Sequence, residues 1–93
     1  MKKSLKAINQ NDYYNDYLDN IKGFSLYEAL EYLRDELKCV KKEYHNGYAF
    51  SQAFTLYSKT EWNKDRVNFI KAIEKLIKIK ENIISQYAKE ETK

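Results

Sequence analysis

WNKDRVNFIKAIEKLIKIKENIISQY, residues 62–87, is the longest run of unbroken helical periodicity in the chain, and its reading decides the fold. Trp62, Phe69, Ile73, Leu76, Ile83 and Tyr87 recur at spacings of seven, four, three, seven and four, while Val67, Ile70, Ile77 and Ile84 widen the same stripe. That spacing describes an amphipathic helix with one broad buried face. Across from it, Lys64, Asn68, Lys71, Lys75, Lys78 and Asn82 follow one another at four, three, four, three and four, so a line of ammonium and amide groups faces outward. A helix over 61–89 would be roughly 43 Å long at about 1.5 Å per residue.

Such a helix needs a mate. Leu26, Leu30, Leu33, Leu37, Val40 and Tyr44 supply one, a strict heptad seam preceded by the capping box Ser25-Leu26-Tyr27-Glu28. Lys41, Lys42 and His45 sit in its last turn, where cations complement the carbonyl end, and Asn46-Gly47 gives the stop. Further upstream, Tyr14, Tyr17, Leu18 and Ile21 form one face of a short helix starting at Asn11 or Asp12 and closed by Gly23, with Asp12, Tyr13, Asp16 and Asp19 on its outer sides. Between the long helices, Ala49, Phe50, Ala53, Phe54 and Tyr57 satisfy a helical face, and Ser58 and Thr60 compete as N-cap of the final helix.

The fold expected is therefore all-α, a small antiparallel helical bundle. Two long amphipathic helices, about 25–45 and 61–89, are accompanied by two short ones, about 12–22 and 48–58, that close the ends or flanks. Residues 1–93 form a single domain, with 1–10 and 90–93 expected to fray. The absence of Pro and the presence of only two Gly agree with long helices on short connections. A chain of 93 residues buries only about 60–65% of its unfolded surface, enough for one modest core.

Composition excludes several chemistries. Cys39 is the lone cysteine, so neither an internal disulfide nor a multi-cysteine zinc site can form, which fits a reducing cytoplasm. Met1-Lys2-Lys3 is followed by no apolar run of signal-peptide length, and no stretch reaches the ~18 apolar residues of a membrane span. His45 is the only imidazole and lies six positions from Cys39, about 240° around the same helix at 100° per residue. The two cannot act as base and nucleophile there. Two glycines make no phosphate-cradling loop, and neighbouring carboxylates such as Asp35-Glu36 diverge on a helix. No catalytic residue, metal ligand or cofactor is assigned, and Cys39 is read as a small, partly buried hydrophobe beside the seam.

Charge is unevenly placed. The formal net charge is +3, yet residues 11–37 carry Asp12, Asp16, Asp19, Glu28, Glu31, Asp35 and Glu36 against Lys22 and Arg34. The basic residues gather toward the C-terminal half. Separation of this kind bears on partners rather than on fold. Two candidate surfaces follow. Asp12, Tyr13, Asp16, Asp19, Glu31 and Tyr32, joined by Tyr27, set carboxylates beside amphipathic rings, a composition suited to a basic protein surface because Tyr anchors interfaces at low entropic cost. Lys64, Asn68, Lys71, Lys75, Lys78 and Asn82 could lie along a phosphate backbone. Ordinary solvation of a surface helix accounts for the same lysines, and only Arg34 and Arg66 supply the usual base-reading side chain.

In length, in its four-helix reading and in its long basic C-terminal helix, the chain is similar to the small immunity proteins that protect bacteria from their own peptide bacteriocins. The likeness is architectural, spans the chain, and carries no site residues. The expectation is a non-enzymatic cytoplasmic protein that binds another protein, an inhibitor or regulator from a bacterial or phage mobile element, of anti-defence or immunity type. A nucleic-acid-binding accessory protein using the Lys/Asn line is the alternative. Charge separation also permits a homodimer.

Overall fold

A computed structural model describes residues 5–48 and 57–91, with side chains through Ala88. Among the described residues the fold is built of three helices, α1 (Gln10–Asn20), α2 (Leu26–Asn46) and α3 (Lys59–Glu91).

Local chemistry sets each boundary. Asn9 caps α1: its side-chain oxygen accepts the Asp12 amide at 2.8 Å, and its side-chain nitrogen donates to the Asp12 carboxylate at 3.1 Å. This reciprocal cap starts α1 ahead of the expected Asn11 or Asp12, and the helix ends at Asn20 rather than running to 22. Gly23, at φ +89°, turns the chain into α2. The Ser25 hydroxyl accepts the Glu28 amide at 3.2 Å, so the capping-box serine does open α2. Gly47 closes it at φ +98° and ψ 165°, donating its amide to the Glu43 carbonyl. A residue with a Cβ rarely adopts that conformation. Of the two competing caps for α3, Ser58 prevails: its hydroxyl accepts the Glu61 amide at 3.2 Å and its carbonyl accepts the Trp62 amide at 2.8 Å. The helix consequently begins at Lys59, two residues earlier than the spacing predicts, and its 33 residues span about 50 Å.

The short helix expected over 48–58 falls largely on residues 49–56, outside the described ones. At its described end Tyr57 pairs its backbone with Leu5 in an isolated parallel β-bridge and Ser58 caps α3, so this end is not helical. The Tyr48 hydroxyl donates to the Tyr57 carbonyl, tying the two sides of that connection together.

Both other helices pack on α3. Leu30, Leu33 and Val40 of the α2 seam meet Ile73, Leu76 and Ile77 of α3, and Tyr17 of α1 with Ile21 at its C-cap completes the cluster. Ala29 and Ala72 are buried as well. Their small side chains allow close approach of the backbones. Ties between α2 and α3 run in opposite order along the two helices: Arg34 to Glu81 at 3.0 Å, Lys41 to Glu74 at 3.6 Å, Glu43 to Arg66 at 3.0 Å, and the Tyr44 ring 5.7 Å from Trp62. Trp62 is buried, and the Tyr48 ring lies 5.8 Å from its ring.

Two apolar assignments differ from the sequence pattern. On α1 the inward set is Tyr13, Tyr17 and Ile21, while Leu18 is exposed. On α3 the stripe loses its cover at its end, where Tyr87 is 58% exposed. The reason is length. An 11-residue α1 reaches about 16 Å, a third of α3, and its contacts lie at Asp65, Phe69 and Lys75. No helix among the described residues is long and apolar enough to cross a membrane.

Candidate functional site

The strongest concentration of polar chemistry lies where α1, α2, α3 and the segment before α1 converge. Asp65, 1% exposed, sits on the inward side of α3 between Trp62 and Phe69. Its Oδ2 accepts the Tyr13 hydroxyl at 2.6 Å and Arg66 Nη2 at 2.6 Å, and its Oδ1 accepts the Ile8 amide at 2.8 Å. Arg66 continues the chain of contacts, donating through Nη1 to Glu43 at 3.0 Å and through Nη2 to the Tyr13 oxygen at 3.3 Å, with its guanidinium 5.0 Å over the Phe69 ring. A carboxylate this buried is costly unless it is paired and hydrogen-bonded. Here both oxygens are engaged.

The electrostatics follow. Burial pushes the Tyr13 phenol well above the ordinary tyrosine value of 10.0, and the Asp65 hydrogen bond and charge push it further. Tyr17 is raised first by burial and then by the Glu36 carboxylate. Burial works to lower Arg66, but its bond to Asp65 and the charge of Glu43 outweigh that and hold it above its ordinary value. None of these groups is poised to gain or lose a proton near neutrality. The cluster clamps the segment before α1, α1 and α2 onto α3.

This placement corrects part of the acidic Tyr-bearing surface. Tyr13, expected on the outside of α1, is 7% exposed and spends its hydroxyl on Asp65. Asp12 is exposed but serves the Asn9 cap. Asp16, Asp19 and Glu31 are exposed, and Tyr32 is half-buried, its ring 6.1 Å from Tyr17 and edge-on to Phe24 at 5.7 Å. Burial raises the Tyr32 phenol, as does its hydrogen bond to Glu36. What remains at the surface is centred lower, at the α1–α2 turn, where Phe24 and Tyr27 project; Tyr27 is 71% exposed.

The basic line survives nearly whole. Lys64, Lys71, Lys75, Lys78 and Asn82 are exposed, and the Lys75 ammonium lies 4.8 Å over the Tyr14 ring. Asn68 is the exception, because its side chain donates to the Ile8 carbonyl at 3.0 Å. Cys39, read as partly buried, is exposed: it falls on the outer side of α2, beside the seam but not in it. No group of three or more His, Cys, Asp or Glu among the described residues could hold a metal ion.

Asp65 and Glu43 were not singled out from the sequence, and Arg66 was noted only as one of two arginines. A signal was there: Asp65 stands three after Trp62 and four before Phe69, in register with the apolar stripe, and a charge at such a position must find partners inside. No protein-family model, curated protein or solved structure matches the chain.

Proposed function

We propose that this chain is a non-enzymatic binding module that inhibits or regulates another protein, in the manner of anti-defence or immunity-type proteins of bacterial or phage mobile elements. In this reading α2 and α3 form a rigid antiparallel pair, and the α1–α2 turn offers the docking surface. The observation that carries it is the projection of Phe24 and Tyr27 from that turn, with Asp16, Asp19 and Glu31 exposed on the adjoining helices. Aromatic rings rimmed by carboxylates suit a partner with a basic rim and an apolar centre. Tyr13 has no part in this surface.

Capture from host lysate tests the reading. The wild-type chain should retain a partner that Asp16→Lys with Asp19→Lys loses and that Tyr27→Ala weakens at least tenfold, about 1.4 kcal/mol. Equal recovery by all three chains overturns it. The exposed lysines of α3 favour a second reading, a nucleic-acid-binding accessory protein. Binding to a random duplex that steepens at low salt and disappears in Lys71→Glu with Lys75→Glu would select that reading; no binding at low salt removes it.

A further inference from the structure

Asp65, Glu74 and Glu81 interrupt the sequence of α3 between 64 and 82, and the fold turns each of them away from its lysines. Asp65 is buried against Tyr13 and Arg66, while Glu74 and Glu81 reach Lys41 and Arg34 of α2. Lys64, Lys71, Lys75 and Lys78 are left exposed as a line of one sign, about 21 Å long at about 1.5 Å per residue.

Aliphatic side chains are exposed along the same line. Ile8 lies at Asn68, whose side chain donates to the Ile8 carbonyl at 3.0 Å, and the Lys75 ammonium lies over the Tyr14 ring. From Ile8 to Tyr14 the contacts therefore advance along α3 with the chain, so α1 and α3 run in the same direction. Leu18 follows Tyr14 by four residues and Ile79 follows Lys75 by four, one helical turn in each case, which sets both on the flank that holds the lysines. Ile8, Leu18 and Ile79 are each exposed by more than a third. Asp12, Asp16 and Asp19 fall about 150° round α1 from Tyr14 and Leu18 at about 100° per residue, clear of that flank.

We propose that the lysine line of α3, with Ile8, Leu18 and Ile79, is a peripheral docking surface for an anionic lipid bilayer. Charge complementarity selects the occupant: lysines meet the headgroup phosphates, and the aliphatic side chains enter the interfacial layer between them. Lysine suits this place because its long apolar stem can lie along the same layer. A nucleic acid would draw instead on Arg for base edges and on aromatic rings for stacking, and this flank offers three aliphatic side chains. The chain would lie on the membrane with the α3 axis in its plane, without crossing it. This surface is separate from the α1–α2 turn, and it uses lysines that the nucleic-acid reading also uses; the duplex arm of the test separates the two.

The full chain is sedimented with vesicles of phosphatidylcholine alone and of phosphatidylcholine with phosphatidylglycerol in equal parts, and is titrated separately with a random duplex. The mixed vesicles should retain it at low salt and release it as salt rises, and the neutral vesicles should not retain it. Lys71→Glu with Lys75→Glu should weaken retention by roughly tenfold or more. Leu18→Ser with Ile79→Ser alters exposed positions only and keeps every lysine; it should weaken retention severalfold with helical circular dichroism unchanged. Ile79→Trp supplies a direct reporter, because its emission should shift to the blue on mixed vesicles and not on duplex, Trp62 being buried already. No retention by mixed vesicles at low salt overturns the proposal, as does equal retention of the serine variant and the wild-type chain. Duplex binding without vesicle binding overturns it in favour of the nucleic-acid reading.

Discussion

Asp65 receives three donors, and the hydroxyl of Tyr13 is the one that can be removed with least change of shape. Tyr13→Phe keeps the ring against Phe69, whose centroid lies 4.5 Å away, and withdraws only the hydrogen bond. Because the acceptor is a buried charge still held by Ile8 and Arg66, the cost should be about 1–3 kcal/mol in urea unfolding at pH 7. The same phenol has an alkaline signature. Its pKa is raised in the folded chain above the ordinary 10.0, so folding keeps the proton where the unfolded chain releases it. The stability linked to it is fully present below pH 10 and declines as pH rises beyond that value. Tyr17 behaves alike, raised by burial and by Glu36. Wild-type stability should therefore fall above pH 10, and the gap between wild type and Tyr13→Phe should narrow there. A constant gap from pH 7 to pH 11 would deny the Tyr13 contribution. Periodicity alone could not have shown this choice of Tyr13 over Tyr14, since both flank the same α1 face; the deciding partner is Asp65, 52 residues away.

At the scale of elements, α1, α2 and α3 were legible, whereas the short helix expected over 48–58 and the covered lengths were not. The α2 seam and the α3 stripe repeat because two long helices bury a continuous face, and Ser25, Ser58, Gly23 and Gly47 mark turns through chemistry local to the sequence. A repeat does not say how far its mate extends. The α3 stripe continues through Ile83 and Tyr87 in register, but α1 stops short of them and leaves Tyr87 exposed, while Ile79, off the stripe, is exposed as well. Two isoleucines of one helix should consequently respond differently. Ile73→Ala, at a fully buried position, should cost about 2–5 kcal/mol through lost transfer energy and a cavity. Ile79→Ala should cost under about 1 kcal/mol, because solvent already reaches the site. Equal losses in denaturant unfolding would mean that the uncovered side of α3 is packed in solution. The exposed pairs Arg34–Glu81 and Lys41–Glu74 lie along the same helix and are screened by water, so neither adds much to holding it.

On the scale of the whole molecule, one side chain joins what the helices leave separate. The segment before α1, α1 itself through Tyr13, and α2 through Arg66 and Glu43 all meet at Asp65 on α3. This is the piece of the fold that hydrophobic patterning hid, because a charged residue inside an apolar stripe interrupts the repeat at the position that matters most. The buried pair itself contributes little net stability, since its attraction is offset by desolvation, but removing one member strands the rest. In Asp65→Ala the Tyr13 hydroxyl, the Ile8 amide and most of the Arg66 charge lose their acceptor in a buried setting, a loss of about 3–5 kcal/mol. A small domain has only about 5–15 kcal/mol in total, so the variant should stand near the edge of folding. The manner of unfolding should change too. In the wild-type chain, far-ultraviolet circular dichroism and Trp62 fluorescence should report one transition, as expected of a single cooperative domain. In Asp65→Ala, α1 and its preceding segment lose their polar anchor while the α2–α3 seam keeps Leu33, Ile73 and Leu76. Helical signal should therefore decline at lower denaturant than Trp62 fluorescence, and coincident transitions in the variant would show that apolar contacts alone bind α1 into the fold.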